Sequence, residues 1–521
     1  MKSLLINLLL LTAATAFAQQ PQPTTQQTAA RPIAARPIAA RPTAARPNII
    51  LIYTDDQRFD ALSVVQQEQG DKARFPWFTT PNLDRLANEG VRFRNAFVIN
   101  SLCSPSRSTM LNGRYNHLNG IANNHTGLSD TTVTYATELR KAGYTTAFFG
   151  KWHMGKETGK RPGFDYSASF VGQGQYFDCP IEVNGKTEPS HGWVDDVSTT
   201  NAIEYIKQHK NETLLVTLAF KSGHGPFQPP VRHKDTFAQV KLTKPVTESL
   251  TSPYKNQIET PRRQNGGASG NANGAQNANA APNGSTSASW TENNDQKIRN
   301  YFGALKGVDE NVGRILSVLD SLKLDQNTVV IFSSDNGFFF GEHGLGDKRA
   351  AYEESIRIPL LVRYPARFPK GKKIDQMVLN LDNAPTLLDL AGVPAPASFQ
   401  GKSWVPLIED KAKGWRTSFL YEYFYETPYN TPTIKAVRTE TGKLIQYPGE
   451  EGWSELYDLS KDPAETTNLY QSPNGEKLKK QLLGELSKQE KATGYINPDY
   501  ADARPVDEKG QYKRPVKEVI P

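Results

Sequence analysis

Apolar residues along this chain gather into short unbroken runs separated by amphipathic stretches. Residues 48–54 read Asn-Ile-Ile-Leu-Ile-Tyr-Thr. A β-rich run of that length predicts a strand buried on both faces of a parallel sheet. Similar runs predict strands at 91–99, 144–149, 213–220, 328–333 and 359–363. Helical signatures lie between them. Thr80-Pro81 opens one that Gly90 closes, 134–141 forms another ended by Gly143, 201–209 a third, and 295–322 a long fourth. Strands alternating with helices predict an α/β class, with a large, mainly parallel sheet sandwiched by helices. The pattern changes after residue 408. Segments 434–438 and 443–446 flank Thr-Glu-Thr-Gly, a hairpin signature; 455–459 adds a strand and 478–490 an amphipathic helix. A smaller C-terminal antiparallel sheet plus helix is expected there.

Three stretches carry no such pattern. Lys2 precedes an apolar run that ends in Ala16-Phe17-Ala18, so residues 1–18 read as a secretory signal peptide. Residues 19–47 form a Pro/Arg/Ala-rich linker ending in four copies of Ala-Ala-Arg-Pro, with proline at every fifth position. Residues 263–289 are mostly Gly, Asn, Ala and Ser, a flexible low-complexity insertion with little to bury. The 521 residues therefore divide into a leader, a linker, a main domain at 48–408 and an α+β subdomain at 409–521. No other apolar stretch is long enough for a membrane span. A periplasmic or secreted location is expected.

Net charge is +7, which suits an anionic substrate. No basic stripe marks a nucleic-acid surface. The chain has two cysteines, Cys103 and Cys179, and in an exported protein these can form one disulfide. Cys103 has a second reading. In Cys103-Ser104-Pro105-Ser106-Arg107 it sits between a strand and a helix start. Ser104 is the expected N-cap, Pro105 the first helical residue, and Gly113 the stop. A side chain there lies in the positive field of a helix N-terminus, a good place for an anion.

Ligands of open α/β sheets gather beyond the carboxyl ends of the strands. The candidate residues fall there: Asp55-Asp56 after the first strand, Cys103 after the second, Lys151 and His153 after the third, His224 after the fourth, Asp335-Asn336 after the fifth, then Lys348. Asp55, Asp56, Asp335 and Asn336 offer only oxygen, which hard cations such as Ca²⁺ or Mg²⁺ prefer. Taken singly, each pair also reads as a turn or a helix cap. Arg107, Lys151, His153, His224 and Lys348 would surround an anion, Arg107 with a fork geometry. Singly, the histidines also read as satisfied core residues and Lys348 as a solvated charge.

In order and identity this series resembles the type I sulfatases of the alkaline phosphatase superfamily, from Asn48 to about Tyr470. The resemblance is carried by Asp55-Asp56, Cys103 to Arg107, Gly150-Lys151-Trp152-His153, His224, Asp335-Asn336-Gly337 and Lys348. Ala384 to Leu388 and Glu455 to Leu459 extend it. It implies that Cys103 becomes Cα-formylglycine (3-oxoalanine) through a formylglycine-generating or anaerobic sulfatase-maturating enzyme. Asp55, Asp56, Asp335, Asn336 and the modified Cys103 would bind Ca²⁺, with Mg²⁺ the lesser choice, and Arg107 would stabilise the aldehyde hydrate. Lys151 and Lys348 would hold the sulfate, His224 would protonate the leaving oxygen, and His153 would act as base. The loops Gly172 to Phe177, Asn184 to Lys186 and Gly192-Trp193 resemble those of glycan sulfatases, including N-acetylglucosamine-6-sulfatase-like members. They imply a sulfated carbohydrate substrate, with ulvan or carrageenan as algal alternatives. Tyr176, Trp193, Arg232 and His233 are the candidates to contact sugar, or else pack their own loops. Two rival functions stay open at this level: phosphonate monoester or phosphodiester hydrolysis, and sulfated-glycan binding without catalysis.

Overall fold

Every residue of Asn48–Thr54 is buried, and this strand, β1, lies at the middle of a ten-stranded sheet. The computed structural model describes residues 46–155, 158–253, 292–426, 429 and 431–496. The other strands of the sheet are β2 (Val91–Phe93), β4 (Thr145–Lys151), β5 (Tyr166–Phe170), β6 (Ile181–Val183), β7 (Lys186–Glu188), β8 (Leu214–Ala219), β9 (Thr328–Ser334), β11 (Leu360–Arg363) and β12 (Lys372–Ile374). Their order is β12-β2-β11-β9-β1-β8-β4-β5-β6-β7. The central five, β9-β1-β8-β4-β5, run parallel, so their carboxyl ends share one edge. Antiparallel pairings, β11 with β9 and with β2, and β5 with β6, lie toward the margins.

Side chains alternate across a strand, and β1 divides accordingly. Ile49, Leu51 and Tyr53 enter one apolar core, Ile50 and Ile52 the other. The second core is covered by the helices Val194–Gln208 and Glu292–Ser321. The first extends into a four-stranded antiparallel sheet of β14 (Ser418–Tyr423), β15 (Ile434–Thr439), β16 (Gly442–Gln446) and β17 (Glu455–Asp458). The helix Glu476–Thr493 buries Leu482 and Leu486 there. The hairpin between β15 and β16 closes where Thr439 Oγ1 accepts the Gly442 N–H at 3.0 Å.

The fold class matches the sequence expectation; several elements differ from it. The strand expected at 91–99 breaks in two. Arg94 and Asn95 interrupt the apolar run, and Arg94 pairs with Glu68 and Asp375 at the surface. The second piece, β3 (Ala96–Phe97), joins β10 (Arg357–Ile358) and β13 (Val378–Leu379) in a separate sheet. The helix expected at 201–209 begins at Val194; its Asp, Ser and Thr residues hid the start, since these residues also favour turns. Short β5 to β7, and β14, were not expected. The signal peptide, all but the last two residues of the linker, and the 263–289 insertion lie outside the described residues. Among the described residues, no helix is long and apolar enough to cross a membrane.

Candidate active site

Four loops leave the carboxyl edge of the parallel strands and converge. β1 delivers Asp55 and Asp56, β4 ends on Lys151 and is followed by His153, β8 leads to His224, and β9 to Asp335 and Asn336. The helix Cys103–Asn112 points its first turn at the same place. Gly150 permits this convergence: its φ is +88°, and a Cβ there would lie 2.0 Å from the Ala219 carbonyl on β8. Asp56 and His153 also have positive φ, 58° and 54°, a conformation that costs an L-residue roughly 1–2 kcal/mol. Surrounding bonds hold Asp56 in place. Its N–H donates to Asp335 Oδ1 at 3.0 Å, and its carbonyl accepts from the Tyr301 hydroxyl at 3.0 Å.

Cys103 is fully buried at the centre. Its Sγ lies 3.5 Å from Asp55 Oδ1 and 3.0 Å from Lys348 Nζ. Lys348 also donates to Asp56 Oδ1 at 2.6 Å. Arg107, one helical turn on from Cys103, donates from Nε to Asp335 Oδ2 at 2.8 Å and from Nη1 to the Lys151 carbonyl at 2.6 Å. Lys151 Nζ bonds Asp55 Oδ2 and Gln173 Oε1. Ser104 is not the N-cap. Leu102 takes that place with no side-chain cap, and Cys103 is already helical. The Ser104 N–H instead finds Asn124 Oδ1 at 3.0 Å, and its hydroxyl donates to the His153 carbonyl at 2.6 Å. The alternative of a Cys103–Cys179 disulfide does not hold: both cysteines are free.

Electrostatics divides the carboxylates. Burial opposes the charge on Asp55, but Lys151, Arg107 and Lys348 outweigh it and hold its carboxyl well below the usual range. Burial pushes Asp56 up against the pull of Lys348, with Asp55 and Asp335 adding to the rise. Burial and Asp55 likewise raise Asp335. Oxygens of the three converge within 4.8 Å, and Asn336 Oδ1 is buried beside them with no hydrogen-bond partner. Crowded carboxylates and an unmatched carbonyl oxygen suit a hard divalent cation. Burial, with the Asp55 charge, pushes the Cys103 thiol up to about 12. An unmodified thiol here stays protonated at neutral pH and is a poor nucleophile.

The two histidines are held neutral. Burial lowers His153, with Lys151 and Arg107 assisting, and burial lowers His224, with Lys151 and Lys348 assisting. His224 donates from Nδ1 to the Gly225 carbonyl at 2.7 Å, which leaves Nε2 unprotonated in the neutral ring. Gln173 lies between two of the expected groups. Its Oε1 takes the Lys151 ammonium, so its Nε2 must donate to His153 Nε2, 3.2 Å away.

Sequence reasoning did not single out Gln173 or Lys221. Lys221 donates to the Gln173 carbonyl at 2.7 Å, and burial with the Lys151 charge lowers its pKa to about 8. Asp195 accepts the N–H groups of Lys221 and Ser222 at 2.8 and 3.1 Å. The signal was available for Lys221, which follows the same strand end as His224.

The four candidate sugar contacts each have partners within the protein. Trp193 is 3% exposed, stacks on Tyr176 and donates its indole N–H to the Gln228 carbonyl at 2.9 Å. Arg232 forks to Asp196 at 2.7 and 2.9 Å, and His233 meets Glu310 at 2.6 Å. Only Tyr176 reaches the site, donating its hydroxyl to the His224 carbonyl at 2.6 Å. These side chains pack and brace their loops in this structure.

Comparison with known proteins follows from this geometry. A family model described as sulfatase matches residues 47–393, and one described as N-sulphoglucosamine sulphohydrolase, C-terminal, matches residues 341–492. An N-acetylglucosamine-6-O-sulfatase of Bacteroides thetaiotaomicron is 30% identical over 502 residues, covering 87% of this chain and 88% of the relative. An ulvan-active sulfatase of Formosa agariphila is 28% identical, covering 85% of this chain and 80% of the relative. A protein solved in complex with its substrate D-glucosamine-2-N,6-O-disulfate aligns with a TM-score of 0.76 at 29% identity, covering 88% of this chain and all of the other.

Proposed function

This chain belongs to the sulfatase family, and we propose that it is an exported enzyme that removes sulfate esters, exo-fashion, from carbohydrate, with 6-O-sulfated N-acetylglucosamine as the first substrate class. The observation that carries the reading is the place of Cys103: buried, on a helix start, between an Asp55 carboxylate and the Lys348 ammonium. The glycan class is supported by the relatives, which are named for N-acetylglucosamine-6-sulfate and ulvan. Export is supported by the apolar leader before Gln19.

The reading requires Cys103 as formylglycine, matured by a formylglycine-generating or anaerobic sulfatase-maturating enzyme. Asp55, Asp56, Asp335 and Asn336 would hold Ca²⁺, which when bound supplies Lewis-acid polarisation and neutralises charge among these carboxylates. Lys151 and Lys348 grip the sulfate oxygens, and Arg107 orients the hydrate. One hydrate hydroxyl of residue 103 gives its proton to Asp55, the carboxylate beside it, and attacks sulfur while the S–O ester bond breaks. His224 becomes protonated as the anionic substrate enters, and it delivers that proton from Nε2 to the departing sugar oxygen. A donor of this kind contributes typically about 10²–10⁴-fold. The second hydroxyl then loses its proton to His153 Nε2, the nitrogen Gln173 keeps unprotonated, and its oxygen forms the aldehyde C=O. The bond from residue 103 to the sulfate oxygen breaks, sulfate leaves, and water restores the hydrate.

The test is sulfate release from sugars sulfated at defined positions, run beside an aryl phosphodiester. The reading expects kcat/KM highest for 6-O-sulfated N-acetylglucosamine. Preference for an ulvan fragment would redirect the substrate class, and preference for the phosphodiester would overturn ester desulfation.

A further inference from the structure

Behind the loop that carries Asp335 and Asn336, a second set of metal-ligand atoms converges. A ring nitrogen of His343 and one oxygen each of Glu354 and Glu465 lie within 4.8 Å of one another. His343 is 2% exposed and Glu465 1%. His343 Nε2 and Glu354 Oε2 are both buried without a hydrogen-bond partner, and they stand 4.0 Å apart. The imidazole is held in place, stacked on the Tyr352 ring at 3.8 Å and 7°. Glu465 is also fixed: one oxygen accepts the Glu353 N–H at 2.9 Å, and the other meets the Lys443 ammonium at 2.7 Å. Lys443 is itself shared with Glu353 at 2.8 Å.

We propose that His343, Glu354 and Glu465 form a second metal site, for a borderline divalent ion of the Zn²⁺ type, distinct from the oxygen-only site at Asp55, Asp56, Asp335 and Asn336. The donor set is one imidazole nitrogen with two carboxylates, which suits Zn²⁺ better than Ca²⁺. The spacing comes close. A 4.0 Å gap is too wide for a hydrogen bond, and tetrahedral bonds of about 2.0–2.2 Å place ligand atoms roughly 3.4 Å apart, so a small closure of the pair would seat one ion. A proton alone leaves the cluster unsatisfied. A proton on Glu354 finds no acceptor in reach on His343, whereas a cation satisfies the imidazole lone pair and the unpartnered Glu354 oxygen together.

The position gives the ion a structural task. The Glu354 carbonyl accepts the Phe338 N–H at 3.0 Å, and the Ser355 carbonyl accepts Gly337 N–H at 2.8 Å. Glu465 follows β17 in the C-terminal sheet region. An ion here ties that region to the segment that immediately follows Asp335 and Asn336.

The full chain, chelated and then resupplied with Ca²⁺, is titrated with Zn²⁺ by calorimetry; Co²⁺ absorption reports the ligand field. Wild type and Asp335→Asn are expected to take one equivalent. His343→Gln and Glu465→Gln are expected to bind weaker by at least about 10–100-fold, the loss already associated with an outer-shell partner, and to lose the rise in Tm that Zn²⁺ gives wild type. Absence of Zn²⁺ binding by wild type overturns the site, as does binding that both glutamine variants retain. Should His343→Gln fail to fold, Glu465→Gln and the wild-type Co²⁺ spectrum decide: a spectrum without a nitrogen–oxygen ligand field overturns the proposal.

Discussion

The Lys348 ammonium sits 3.0 Å from Cys103 Sγ and 2.6 Å from Asp56 Oδ1, so one side chain joins the nucleophile position to the oxygen cluster. Lys348→Ala removes a preorganised charge at that junction. Turnover is expected to fall by about 10²–10³-fold, with Lys348→Arg recovering only part, since a planar guanidinium does not replace a point charge. Steady-state kcat on the preferred sulfated sugar measures this; an unchanged kcat would remove Lys348 from the chemistry.

Cys103→Ala is expected to abolish sulfate release while leaving the fold intact. In active wild-type protein, peptide mass spectrometry should find residue 103 with H₂S exchanged for one oxygen. Full activity from a preparation in which every Cys103 is an unmodified thiol would refute the nucleophile, because burial keeps that thiol protonated.

Gln173 orients two charged or titratable groups, Lys151 and His153. Gln173→Ala is expected to lower kcat/KM by about tenfold, roughly 1.4 kcal/mol. The pH–rate profile should shift as well, because His153 Nε2 loses the donor that keeps it unprotonated. A merely structural role would lower Tm and leave the profile in place.

Asp309 offers a stability test far from the chemistry. From the long helix its carboxylate accepts the N–H groups of Asn82 and Leu83 at 3.0 and 2.9 Å. Burial still wins and pushes its pKa up to about 6. The folded state therefore binds the proton more tightly than the unfolded chain. That contribution is complete below pH 4 and is lost as pH rises through 6. Asp309→Asn should consequently gain on wild type between pH 4 and pH 7, by up to about 3 kcal/mol. Denaturant unfolding at the two pH values measures it; a constant difference would show that Asp309 is not raised.

Gly337 turns the Asp335-Asn336 loop where a Cβ would lie 2.0 Å from the Glu354 carbonyl oxygen. Gly337→Ala is expected to destabilise by about 1–3 kcal/mol and to weaken Ca²⁺ retention, read as a lower Tm and a higher Ca²⁺ requirement. Unchanged values for both would mean that the loop shifts freely.

The sequence showed the parallel strands because residues such as those of β1 are apolar on both faces, and no other element tolerates that pattern so briefly. It showed the strand-end residues for the same reason, since a buried strand must discharge its polar residues at its ends. Gln173 and Asp195 were not legible. Gln173 is an ordinary polar residue in a glycine-rich loop, and Asp195 lies inside a helix; only the folded chain sets them against Lys151 and Lys221. The partners of Tyr176, Trp193, Arg232 and His233 were not legible either. Aromatic and basic side chains in loops suit sugar binding, yet partners distant in sequence, such as Gln228 and Glu310, occupy them here.

Cys103 has no exposed surface, and the helix that begins with it is buried along its whole length. A protein catalyst that had to grip the chain on both sides of this residue would therefore need to meet it while that chain is still extended, before β1 and β9 come together around it. Small substrates are under no such order: they need only reach the side chain, whereas a macromolecule needs the backbone of Cys103–Asn112, which the fold encloses.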